Sequence, residues 1–111
     1  MVTQEEAQQI VAQAQVYQQQ MQSILTQKET IKMQQLEIKK ASEDIEKTQE
    51  QHAYKISGPI LIKCTKEEVR KELAEKSELI STRLQTLERS EKRVREKIEE
   101  IREKLSKSKL E

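Results

Sequence analysis

Large apolar residues recur at every seventh position in the first part of the chain: Ile10, Tyr17, Ile24, Ile31, Ile38 and Ile45. The alternating sites of the same repeat are Ala7, Ala14, Met21, Lys28, Gln35 and Ser42, which turn polar toward the middle of the chain. A second series runs Leu73, Ile80, Leu87, Val94 and Ile101, alternating with Ser77, Leu84, Glu91, Ile98 and Leu105. Apolar sites at a mean spacing of 3.5 residues form the seam of a left-handed coiled coil. Both segments are therefore predicted to be long helices. Thr3-Gln4-Glu5-Glu6 and Thr65-Lys66-Glu67-Glu68 each match a capping box, in which Thr and Glu satisfy one another's backbone N–H groups. Val2 facing Ala7 and Cys64 facing Val69 fit the accompanying hydrophobic staple. These signals place helices over 4–50 and 66–109. Spacing of four residues also predicts surface ion pairs Glu72–Lys76, Glu88–Lys92, Glu91–Arg95 and Glu100–Lys104, each adding about 0.3 kcal/mol.

The pattern changes between the helices. Tyr54-Lys55-Ile56 alternates, Ile60-Leu61-Ile62 is rich in β-branched residues, and Ser57-Gly58-Pro59 separates them. This reads as a β-hairpin over 53–64. Gly58 supplies a positive φ or a close approach, and Pro59 ends the pairing or sits at an edge. Two strands alone are marginal in water, and Ile60, Leu61 and Ile62 cannot all point to one face. Either the hairpin folds down onto its own helix ends, or it takes strands from another subunit. The second outcome makes Tyr54, Ile56, Gly58, Pro59, Ile60, Leu61 and Ile62 the assembly residues.

Helices of near-equal length joined by a turn give an antiparallel two-helix hairpin, each arm about 65 Å long at 1.5 Å per residue. Folding about the centre sets Ile10 near Leu105, Tyr17 near Ile98, Lys28 near Leu87 and Gln35 near Ile80. Lys28 then packs its stem on the seam and reaches with its ammonium toward Glu91. The fold class is mostly α, a coiled-coil hairpin with one short β-hairpin, in a single domain over 1–111.

Composition narrows the function. One Gly, one Pro, two Tyr and no Phe or Trp leave little with which to turn corners or fill a globular centre. No run reaches the roughly 18–20 apolar residues of a membrane span, and no secretory leader is evident. A lone cysteine, Cys64, fits a reducing, cytoplasmic setting. With one Cys and one His, His52, neither a metal site nor a nucleophilic dyad is marked out, and no phosphate-binding Gly loop occurs. Cys64 reads as a staple residue and His52 as a strand-edge residue. No enzyme activity, cofactor or metal is expected. The net charge is +1, and 14 basic against 12 acidic side chains follow residue 65. That balance lacks the basic stripe and stacking aromatics of a nucleic-acid arm. The many Gln of the first segment read as a solvated helical face.

Three stretches carry a family resemblance: Tyr17-Gln18-Gln19-Gln20, the run Tyr54-Lys55-Ile56-Ser57-Gly58-Pro59-Ile60-Leu61-Ile62-Lys63, and Arg83 with Leu87-Glu88. Together they resemble the β-class subunit of prefoldin, over essentially the whole chain. The hairpin string is the most specific part. A single hairpin is similar to the β class, whereas the α class carries a double one, and short tails point to the archaeal type. The resemblance implies a cytoplasmic heterohexamer of two α-class and four β-class subunits whose hairpins join into β-barrels. It implies an ATP-independent holdase that captures unfolded polypeptides at coiled-coil tips and passes them to a group II chaperonin. Neither nucleic acid nor membrane is an expected partner. Tip residues for client capture are Val2, Ile10, Val11, Ile101, Leu105 and Leu110. Ile10, Ile101 and Leu105 also read as ordinary seam residues, whereas Val11 and Leu110 lie beside or beyond the seam. A structural coiled-coil scaffold or tether is the alternative function; it explains the helices and leaves the apolar hairpin idle.

Overall fold

Capping boxes open both helices of the computed structural model, which describes residues 3–110, with side chains through 107. The Thr3 N–H donates to Glu6 Oε2 at 3.4 Å and the Glu6 N–H to Thr3 Oγ1 at 3.1 Å; Thr65 and Glu68 repeat the exchange at the same two distances. Helix α1 spans Gln4–Lys47 and α2 spans Lys66–Leu110, with strands β1 (His52–Ser57) and β2 (Ile60–Thr65) between them. The order is thus helix, two-stranded antiparallel hairpin, helix. Val2, the first half of one expected staple, lies outside the described residues.

The first helix stops three residues before the 50 predicted from sequence. Thr48 N–H still donates to Asp44 O, but its hydroxyl accepts from the Glu50 N–H at 3.2 Å, a turn that competes with helix continuation. Lys66 Nζ donates to the Thr48 carbonyl at 3.0 Å, satisfying an end group of α1 from the start of α2. The Lys66 N–H donates to Gln51 O at 2.9 Å and closes the base of the hairpin. Each strand is accordingly one residue longer at that end than expected.

The chain divides into two compact units, one of residues 1–29 with 84–111 and one of 30–83. In the first, Ile24, Val94 and Ile101 are buried; in the second, Ile31, Ile45 and Ile80 are. All six belong to the seven-residue series read from the sequence. Burying each such side chain stabilises by about 1.5–3 kcal/mol, far more than a surface ion pair. The seam is weaker where the sequence turns polar. In the second unit Ser42, Ala74 and Ser77 line a groove beside Ile45 and Leu73, because small side chains leave the space between the helices underfilled.

In the first unit Lys28 Nζ meets Glu91 Oε2 at 3.0 Å and Oε1 at 3.3 Å, with both side chains largely covered. Arg95 Nη2 adds a contact to Glu91 Oε1 at 3.5 Å. A covered pair of this kind is costly to break from one side, because removing one partner strands the other charge. Lys28→Glu is expected to destabilise by about 2 kcal/mol, and combining it with Glu91→Lys to recover most of the loss. Thermal melts followed by circular dichroism check this. Of the expected surface pairs, Glu72–Lys76 stands at 3.8 Å and Glu91–Arg95 at 3.5 Å, whereas Glu100 pairs with Lys97 at 3.6 Å.

Candidate functional site

The hairpin is built around Gly58, whose φ is +56°. Ser57 pairs with Ile60, so Gly58 and Pro59 form a two-residue loop. Positive φ at its first position and the fixed negative φ of Pro at the second are what a tight hairpin loop of the II′ kind requires. A Cβ at Gly58 would meet nothing within 4 Å; the requirement for Gly is therefore one of backbone conformation.

Register sorts the strand residues into two faces, because directly paired residues point the same way. Ala53 with Cys64, Lys55 with Ile62 and Ser57 with Ile60 share one face. His52 with Thr65, Tyr54 with Lys63 and Ile56 with Leu61 share the other. The first face turns toward α2: Lys55 Nζ lies 2.6 Å from Glu72 Oε1, and Ala53 and Cys64 are half-buried. The Cys64 Sγ–H reaches Ile62 O at 3.5 Å. Even on this face Ile60 and Ile62 remain exposed. The second face carries Tyr54, Ile56 and Leu61, exposed by 66%, 76% and 66%. Five large apolar side chains on twelve strand residues thus face solvent, on both sides of a sheet with two unpaired edges. Exposure of that extent in so small a sheet is a feature that interaction surfaces share.

The base of the hairpin is held by ions. Arg70 Nε lies 2.5 Å from Glu46 Oε1 and its Nη2 3.0 Å from Oε2, a two-pronged clasp between α1 and α2; Nη1 pairs with Glu67. Hydrogen bonding to Arg70 holds the Glu46 carboxyl below the usual carboxylate range, and hydrogen bonding to Lys55 does the same for Glu72. The Glu72 carboxylate in turn raises the Lys55 ammonium above its ordinary value. Carboxyls depressed by folding stabilise above their unfolded pKa, and that stability is lost as pH falls through the folded values. A Lys raised by folding stabilises below its unfolded value, and its share is lost as pH climbs through the folded one. Attachment of the hairpin to α2 is therefore expected to be flat from about pH 5 to pH 9 and to loosen in acid below about pH 4. Amide exchange of residues 52–65 across that range checks the expectation.

The sequence-predicted tip residues fall in the first unit. Val11 is 48% exposed, Ile10 and Leu105 are half-buried, and Ile101 is buried at 6%. Ile101 therefore serves the seam while the helices stay paired. Val2 and the side chain of Leu110 lie outside the described residues. Exposed Val16, Leu25, Met33, Leu36 and Leu79 escaped the sequence reading; their only signal was an apolar residue off the seven-residue series. Among the described residues no cluster of His, Cys, Asp or Glu is placed to hold a metal, and no helix is long and apolar enough to cross a membrane.

Heptad helices flanking a hairpin with exposed apolar faces define an assembly module, and the comparisons with known proteins agree. The family model for prefoldin subunits matches residues 8–110. Prefoldin subunit beta of Pyrococcus furiosus is 40% identical over 101 residues, covering 90% of this chain and 86% of that one. The counterpart from Archaeoglobus fulgidus is 39% identical over 101 residues, covering 90% and 87%. The crystal structure of the prefoldin beta subunit from Thermococcus strain KS-1 superposes with a TM-score of 0.85 at 35% identity, covering 93% of this chain and 91% of that one. The chain belongs to the prefoldin subunit family, in its beta class. Prefoldins are chaperones rather than enzymes, and their beta subunits work within a complex of several subunits.

Proposed function

We propose that this chain is one of four β-class subunits that join two α-class subunits in a hexameric, ATP-independent holdase. Its hairpin contributes strands to a barrel shared between subunits. Its coiled-coil tips capture unfolded polypeptides in the cytoplasm and deliver them to a group II chaperonin. The observation that carries this reading is the hairpin itself: Tyr54, Ile56 and Leu61 lie open on one face, and Ile60 and Ile62 remain exposed on the other. A tether would have no use for such a surface, and leaving it open invites aggregation. Capture falls to Ile10, Val11 and Leu105 with Val2 and Leu110, and to Ile101 only when the last turns fray. Light scattering from a heat-labile client, without nucleotide, tests the function. The chain mixed with an α-class partner is expected to suppress aggregation and to release the client on addition of chaperonin. Unchanged aggregation overturns the reading.

A further inference from the structure

From Ala7 to Gln27, α1 runs for 21 residues without a charged side chain, in a protein that is 37% charged; nine of the 21 are Gln. Across the same unit α2 is densely ionic, with pairs such as Lys97–Glu100 and Arg102–Glu99 on its surface. The neutral stretch is not hidden. Val11 and Val16 are about half exposed. One shallow groove on α1 is lined by Ala12, Val16 and Tyr17 with Gln13 and Gln20, and another by Gln15, Gln18, Gln19 and Gln22 alone.

A helical face that only meets water gains from i,i+4 ion pairs, as α2 does. An amide face gives up that gain but is far less costly to dehydrate than carboxylates or ammonium groups. Surfaces that become covered are depleted in Lys, Glu and Asp for this reason. A second helix is a poor occupant. It needs a continuous apolar stripe at spacings of three and four, whereas the large exposed apolar residues of this stretch, Val11, Val16 and Leu25, stand five and nine apart. An extended polypeptide is a good one. Each of its peptide groups offers one donor and one acceptor whatever its sequence, and the Gln amide offers both in return. The Ala12–Val16–Tyr17 groove accommodates occasional apolar side chains.

We propose that the uncharged outer face of α1 between Ala7 and Gln27 is a binding track for extended, non-native polypeptide, engaging its backbone through Gln amides and continuing the capture surface away from the tip. This rests on the holdase reading above. The test uses the full chain assembled with its partner subunit and a dye-labelled, permanently unfolded polypeptide of zero net charge, with affinity read by fluorescence anisotropy. Three triple variants at Gln15, Gln18 and Gln22 are compared, to Glu, to Lys and to Ala, all good helix formers. A control adds negative charge to α2, away from the tip, through Ser81→Glu and Gln85→Glu. Both charged triples are expected to weaken binding about tenfold and the Ala triple, which removes the amides without adding charge, about fivefold, while the control binds within about twofold of the parent. Undiminished binding by the Ala triple or by both charged triples, loss with one sign of charge only, or a change in the size of the complex overturns the proposal, the last by showing that another subunit covers the face. Absence of binding by the parent complex refutes the holdase reading instead.

Discussion

Ile56→Asp together with Leu61→Asp is expected to leave the helices formed and to abolish assembly. The two residues are directly paired on the more open face of the hairpin and are among the most exposed apolar residues of the protein. Burying both in a shared sheet contributes about 4 kcal/mol. Carboxylates in their place forfeit that gain and add a dehydration penalty of about 2 kcal/mol or more each. At 1.4 kcal/mol per tenfold, association falls by nearly 10⁶-fold. Helix content by circular dichroism should be nearly unchanged, because the seam residues lie on the helices and not on the hairpin. Size-exclusion chromatography with the α-class partner should show separate chains; a complex of parental size would place the interface elsewhere. The companion variant Ile60→Asp with Ile62→Asp probes the other face. Its effect should be smaller if Lys55 and Glu72 keep that face turned toward α2 in the complex.

Removing residues 1–11 and 103–111 should weaken client capture severely while sparing assembly. The deletion takes away Ile10, Val11 and Leu105 along with Val2 and Leu110, and leaves residues 30–83 intact. At about 1 kcal/mol for each partly exposed apolar residue, losing three such contacts weakens client binding by about 100-fold. The complex should keep its subunit count, measured by native mass spectrometry. Undiminished suppression of aggregation by the truncated complex would refute the assignment of capture to the tips. The amide track on α1 lies mostly inside the truncated chain, so capture that persists at reduced strength and then disappears with the charged Gln triples divides the work between the two surfaces.

The seam was legible from residue spacing because periodicity is a local property of sequence: all six buried apolar side chains among the described residues lie on the two series that begin at Ile10 and Leu73. Lys28 facing Glu91 was legible too, since two helices of nearly equal length joined near the centre fix which residues oppose each other within about a turn. Glu46 and Arg70 fall opposite each other under the same folding and could have been read that way. Other features depend on contacts that no local pattern encodes. The end of α1 at Lys47 is set partly by Lys66, eighteen residues downstream of the Thr48 carbonyl it meets. Lys55 meeting Glu72 joins a strand to a helix with no repeat linking the two. Division of the hairpin into a face turned toward α2 and an open face required the pairing register, because shifting it by one residue exchanges the faces. Ile101 shows the opposite limit: spacing placed it equally on the seam and at the tip, and only its burial ranks the two roles.

The central claim is that the hairpin is incomplete alone and is finished by strands of other subunits. Residue-resolved amide hydrogen exchange over His52–Thr65, with and without the α-class partner, tests it most directly. In the isolated chain the outward-pointing N–H groups along the two unpaired edges should exchange quickly. On mixing, those same amides should become protected by at least about 100-fold, equivalent to about 2.8 kcal/mol at 1.4 kcal/mol per tenfold, while the last turns near the tips keep exchanging fast. Edge amides that exchange equally fast in the mixture, with protection arising at the tips instead, would contradict the account.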